Sequence, residues 1–206
     1  MEFRVRELAG ILALFLLFTY FAAAGQVQAQ VSNKVLRLHV IANSDTREDQ
    51  DLKLQVRDAV LQVAAEASEG CKTTEETRQA LESHLRQIEK TAQKVVRRAG
   101  YDYPVTAQIK REYYPSKTYE NFALPAGDYT GLKVKIGKAA GHNWWCVVFP
   151  PLCTSAATKE SFVGFQPEEI AFVQQDGTRY AVRFKAAEWV DALRHTLGEP
   201  GEKAKK

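Results

Sequence analysis

The sequence contains no HExxH and no CxxC, and its four histidines, His39, His84, His142 and His195, share no short spacing. A metal centre built from imidazoles or paired thiolates therefore has no ligand set, and no metal or other cofactor is expected. No glycine-rich phosphate loop is present, so nucleotide binding through a backbone cradle lacks its motif. Charge of one sign is scarce: 28 Lys and Arg stand against 25 Asp and Glu, a formal net charge of +3, part of it in residues 203–206. No element gathers the basic cluster of a dedicated nucleic-acid binder, so no nucleic acid is expected as a partner. A carboxylate pair for glycoside cleavage cannot be singled out among the acidic residues, which leaves wall hydrolysis without a motif.

Long apolar runs are equally rare, and the one present is near the N-terminus. Arg4 and Arg6 precede an apolar stretch over residues 8–24, followed by GQVQAQ at 25–30. That is the layout of a secretory signal, with Val27 and Ala29 at the small-residue positions and cleavage expected after Ala29. The alternative is an uncleaved anchor. The run is close to the lower limit of ~17 residues for a spanning helix, and Thr19 and Tyr20 weaken it. Either way, the basic flank stays inside and the rest is carried out of the cytoplasm. Residues 1–29 are expected to be a signal peptide or membrane anchor, 30–198 a single domain, and 199–206 a disordered basic tail.

After a polar linker at 30–34, residues 35–42 alternate. Leu36, Leu38 and Val40 point one way and Arg37, His39 and Ile41 the other, which predicts a strand with one face on a core. Thr46 and Asp49 are spaced to cap a helix over about 48–67, and Thr73 and Glu76 a second one ending at Gly100. From residue 103 the period becomes two, predicting a strand that stops before Pro115. Residues 116–124 read as a loop, 125–128 as a turn, and 129–137 as a strand that forms a hairpin with the next, 144–149. Asp176-Gly177 lies between candidate strands at 169–175 and 178–184, a strong hairpin signal, with a last helix at 186–197. Helices followed by strands, without regular βαβ alternation, indicate α+β. The expected architecture is two helices packed on a mostly antiparallel sheet, with a C-terminal hairpin and helix.

The densest stretch is GHNWWCVVFPPLC at 141–153. Residues 144–149 are aromatic and β-branched on both faces, which predicts a strand buried in mid-sheet, ended by Pro150-Pro151. Cys146 and Cys153 are a candidate disulfide that the diproline would stiffen and an extracytoplasmic compartment allows. The alternative is Cys146 as a small buried apolar residue with no bridge. As a nucleophile with His39 or His142, Cys146 would need exposure and electropositive surroundings, and mid-strand burial works against both.

A polar group remains. Arg37 and His39 share a strand face, Asn43, Ser44 and Asp45 follow at its end, and Asp49, Lys53, Arg57 and Asp58 lie on the first helix. Capping and a solvated helix side account for them equally well. Tyr119, Asn121, Phe122, Pro125, Gly127 and Tyr129 form an aromatic-rich segment, either an interface or a packed lid. His142, Asn143, Trp144 and Trp145 open the tryptophan strand.

HNWWCVVFPPLC, with LRLHVIANSDTREDQDLKLQVRDAV at 36–60 and YENFALPAGDYTGLKVKIG at 119–137, closely resembles the stage II sporulation protein R family of endospore-forming bacteria. The resemblance runs from about residue 35 to the final helix. It implies a non-enzymatic signal made in the forespore and exported into the space between the two membranes. There it would activate a membrane-embedded aspartic protease that cleaves the precursor of sporulation sigma factor E. On this reading the polar, aromatic and tryptophan groups above are partner-binding, and the membrane is met through the N-terminal segment or the partner. Two other classes stay open: an extracytoplasmic cell-wall or peptide hydrolase using Cys146 with a histidine, and a membrane-tethered structural protein of the septum.

Overall fold

A computed structural model describes residues 2–119, 122–152, 162 and 164–174. In chain order the elements are α1 (Glu2–Lys34), β1 (Leu36–Ile41), α2 (Arg47–Ala67), α3 (Thr74–Arg98), β2 (Val105–Tyr114), β3 (Lys117–Thr118), β4 (Ala123–Leu124), β5 (Gly127–Ile136), β6 (Asn143–Phe149) and α4 (Pro167–Val173). The fold is α+β with a mixed sheet. The expected C-terminal hairpin, last helix and basic tail lie outside the described residues. The chain divides into two compact units, Met1–Val31, Pro115–Gly127 and Gln166–Lys206 in one, Ser32–Tyr114 and Asp128–Phe165 in the other.

The larger unit holds a four-stranded sheet in the order β2-β5-β1-β6. β1 runs parallel to β5, with Leu36 opposite Thr130, and antiparallel to β6, with Ile41 opposite Asn143. Two expectations are corrected here. β5 and β6 do not form a hairpin, because β1 lies between them. The strand buried in mid-sheet is β1, all six residues of which are buried, while β6 is last in the described order and starts exposed. A parallel β1–β5 pair needs a long crossover, which α2 and α3 supply. The 137–142 segment then passes over the end of β1. Gly141 N–H donates to the Ala42 carbonyl at 3.0 Å and Ala140 N–H to that of Asn43 at 3.2 Å.

α2 and α3 form as their caps predict. The Thr46 side chain accepts from Asp49 N–H and that of Thr73 from Glu76 N–H. The Glu76 carboxylate reaches Lys72 N–H at 2.7 Å, one residue short of closing a capping box. Leu52, Val56 and Val60 of α2 and Leu81, Ile88 and Ala92 of α3 are buried in one cluster with Leu38, Val40, Leu132, Val134 and Val148 of the sheet. Fully burying each large aliphatic side chain is worth ~1.5–3 kcal/mol, so this cluster is what holds the helices on the sheet.

In the smaller unit, residues expected to be loop form a short ladder, Lys117 opposite Leu124 and Thr118 opposite Ala123. Residues expected to begin a strand at 169 form α4 instead. Pro167 sits in its first turn and Gln166 N–H donates to the Glu169 carboxylate at 2.6 Å, so local start signals outweigh the apolar run that follows. Residues 30–34, expected to be a linker, are the last turn of α1.

Candidate functional site

Alternation along β1 sends Leu36, Leu38 and Val40 toward the helices and Arg37 and His39 to the opposite face. That face is also closed: Arg37 is 0% and His39 5% exposed. The Arg37 guanidinium lies 4.7 Å from the ring centre of Tyr114 and 5.0 Å from that of Tyr129, so two π-faces meet the buried cation. Gly131, opposite Arg37 on β5, makes the room. A Cβ there would land on the Tyr114 hydroxyl, 2.7 Å from its ring carbon Cζ.

His39 stacks on Trp145 with ring centres 3.8 Å apart. Its Nδ1 lies 2.9 Å from Glu112 Oε1 and its Nε2 2.9 Å from Asn143 Oδ1. Lys133 Nζ donates to the other Glu112 oxygen at 2.7 Å. Burial by itself would raise the Glu112 pKa, but the hydrogen bonds from His39 and Lys133 outweigh it and hold the carboxyl down at about 2. Sequence reasoning missed Glu112, Lys133 and Tyr114. The available signal was strand register: an acidic and a basic residue on neighbouring strands, both on the histidine's face.

At the end of β1 a second polar group closes the corner. Asp49 is buried and accepts from Asn43 Nδ2 at 2.8 Å and from the Ser44 hydroxyl at 2.5 Å. Desolvation pushes its pKa up, but the bonds from Ser44, Asn43 and Tyr103 bring the net shift downward. Asn43 Oδ1 also accepts from Lys138 N–H at 2.9 Å, which ties β1, α2 and the 137–142 segment together. Lys53 is buried as well and donates to Gln50 Oε1 at 2.5 Å and the His142 carbonyl at 3.1 Å. Burial, with Arg57 adding and Asp45 opposing, lowers its pKa. Asn43, Ser44, Asp49 and Lys53 are thus engaged in holding the corner together.

The remaining predicted residues on this corner face outward. The side chains of Asp45 and His142 are 54% and 78% exposed, and both Nδ1 and the backbone N–H of His142 meet the Asp45 carboxylate. Trp144 is 37% exposed, with the Arg57 guanidinium 4.5 Å from its ring centre. Arg57 in turn pairs with Asp58 at 2.6 Å. Farther along β6, Val147, Phe149 and Pro151 border an apolar cavity of about 310 Å³ with Leu61, Ala65 and Cys71. Among the predicted residues described at this corner, Asp45, His142 and Trp144 have side chains open to a contact.

The second aromatic string is packed. Phe122, Pro125, Gly127 and Tyr129 are buried, Tyr119 is half-buried and stacks on Phe122 at 4.5 Å, and Asn121 lies outside the described residues. Cys146 is 2% exposed and disulfide-bonded, Cys71 is free, and Cys153 lies outside the described residues. A bridged, buried sulfur holds no thiolate, which removes the cysteine-nucleophile reading. Among the described residues no group of His, Cys, Asp and Glu is placed to hold a metal ion.

The family model for stage II sporulation protein R matches residues 32–159, which include both polar groups and the whole of β6. Stage II sporulation protein R of Bacillus subtilis (strain 168) is 32% identical over 146 residues, covering 71% of this chain and 62% of that protein's length. The chain thus spans less than two thirds of the curated relative it matches. No solved structure matches it.

Proposed function

This chain belongs to the stage II sporulation protein R family, with its role in sporulation, and we propose that it is an exported, non-enzymatic signal that activates a membrane-embedded aspartic protease. That protease processes the sigma-E precursor. The activator crosses the forespore membrane by its N-terminal helix and meets the protease in the space beyond. Binding favours the active arrangement of the protease over the inactive one.

The observation that carries this reading is the exposed corner of β6. Tryptophan and arginine are the residues that dominate binding energy at protein interfaces, and here they sit in contact on the surface, next to an exposed His142–Asp45 pair. Co-expression of the full chain with the protease and the sigma-factor precursor tests it. Processing is expected only when the chain is present, and Trp144→Ala is expected to reduce it at least tenfold at unchanged thermal stability. Processing that is independent of the chain would overturn the proposal.

A further inference from the structure

One uninterrupted helix, α1, has two different surroundings. From residue 7 to residue 20 every side chain is exposed, including Leu12, Leu16 and Phe18. Apolar groups lie all round this half, the pattern of a helix solvated by lipid and not of one laid on a protein. The next turns are one-sided: Gly25, Gln28, Val31 and Ser32 are buried at spacings of three and four. Gln28 Nε2 donates to the carbonyl of Ala126, itself buried, at 2.6 Å. Ala24 and Val27 line an apolar cavity of about 300 Å³ with Ala171 and Phe172 of α4. The stretch that reads as a cleavage site is therefore helical and forms a wall of the smaller unit.

We propose that α1 is retained as a membrane anchor, its exposed half spanning a lipid bilayer and its buried half belonging to the folded protein. At ~1.5 Å per residue the apolar run 8–24 rises about 26 Å, close to the ~30 Å hydrocarbon core. The helix is long and apolar enough to cross, and Arg4 and Arg6 hold its start on the inner side. The first buried residue, Gly25, follows this run directly, so the helix passes from lipid into protein without a tether. Cleavage after Ala29 would remove Gln28 and leave a buried carbonyl without its donor, a loss the fold resists. The signal is then presented at a membrane surface and does not diffuse from it.

Carbonate extraction and intact-mass measurement of the full chain, expressed in a spore-former, test this without reading protease activation. A full-length species in the membrane pellet, with the domain cut by protease added outside, is expected. A soluble species beginning at Gln30 as the main product would overturn the proposal. Ala29→Arg, which blocks signal cleavage, is expected to remain full length, heavier only by the substitution itself, with fractionation unchanged; a shift from soluble to membrane-bound would also overturn it.

Discussion

Replacing Glu112 by Gln removes one charge from the middle of a sheet face and leaves the shape almost unchanged. In the native chain the two carboxylate oxygens hold His39 and Lys133, with the His39, Glu112 and Lys133 side chains 6%, 14% and 16% exposed. The Glu112 carboxyl is held at about 2, against a usual 4.5. At ~1.4 kcal/mol per unit this favours the ionised form in the folded state by about 3 kcal/mol. Because the folded value is depressed, the unfolded chain takes up its proton first. The contribution is complete above about pH 5 and drains away as the pH falls towards 2. In Glu112→Gln it is absent at every pH, and His39 and Lys133 lose their shared anion. Breaking a buried pair costs ~3–5 kcal/mol, and partial exposure brings the expected loss at pH 7 to about 2–4 kcal/mol. Urea unfolding followed by tryptophan fluorescence reads both effects, since Trp145 stacks on His39. Asp49 also has a lowered pKa, but it is common to both proteins and cancels in their difference. The native chain should lose more stability than the variant between pH 5 and 3. Equal losses over that range, or a difference below about 1 kcal/mol at pH 7, would refute the charge network as a stabilising element.

Gly131→Ala places a methyl group on the Tyr114 ring, which already covers Arg37, and overpacking of this kind costs ~1–3 kcal/mol. A melting temperature equal to the native one would mean that the ring is not seated there. Alkylation of the native chain without reductant is expected to label Cys71 and spare Cys146, which peptide mass mapping distinguishes; label on Cys146 would contradict its bridged state.

The helices were legible because their signals are local. Thr46 and Thr73 cap, apolar residues repeat at helical spacing, and Gly70 and Gly100 adopt positive φ beyond the ends of α2 and α3. Strand order was not legible. Residues 129–137 and 143–149 are neighbours in sequence and look like a hairpin, and nothing local reports that β1 enters between them. α4 differs from the expected strand for the opposite reason: its start signals, Pro167 with Glu169, are local, and they prevail over the apolar run that follows. Around β1 the polar candidates could be picked out by type, but not which of them are buried, and Glu112, Lys133 and Tyr114 on other strands gave no local signal. Ser44 and Asp45 are adjacent and both common in turns, yet Ser44 donates to the buried Asp49 while Asp45 faces outward to His142.

Burial of polar groups makes the same division testable. Alternating Arg37 and His39 with leucines implies a solvated face when both faces are judged by hydropathy alone. The face is closed because Tyr114 and Tyr129 meet the guanidinium and Glu112 and Trp145 engage the imidazole. A partner cannot reach Arg37 or His39 without displacing the side chains that cover them, so substitutions there should reduce sigma-precursor processing only in proportion to lost stability. Trp144, 37% exposed, and Arg57, half-buried against its ring, stand outside that network, and Trp144→Ala or Arg57→Ala should reduce processing while the melting temperature stays within a few degrees. Plotting processing against melting temperature for Arg37→Lys, His39→Gln, Trp144→Ala and Arg57→Ala separates the two classes. An Arg37→Lys protein that melts like the native chain but no longer supports processing would move the contact surface to the sheet face. Loss of processing from both the Trp144 and the Arg57 variants, with native melting, keeps it at the exposed start of β6.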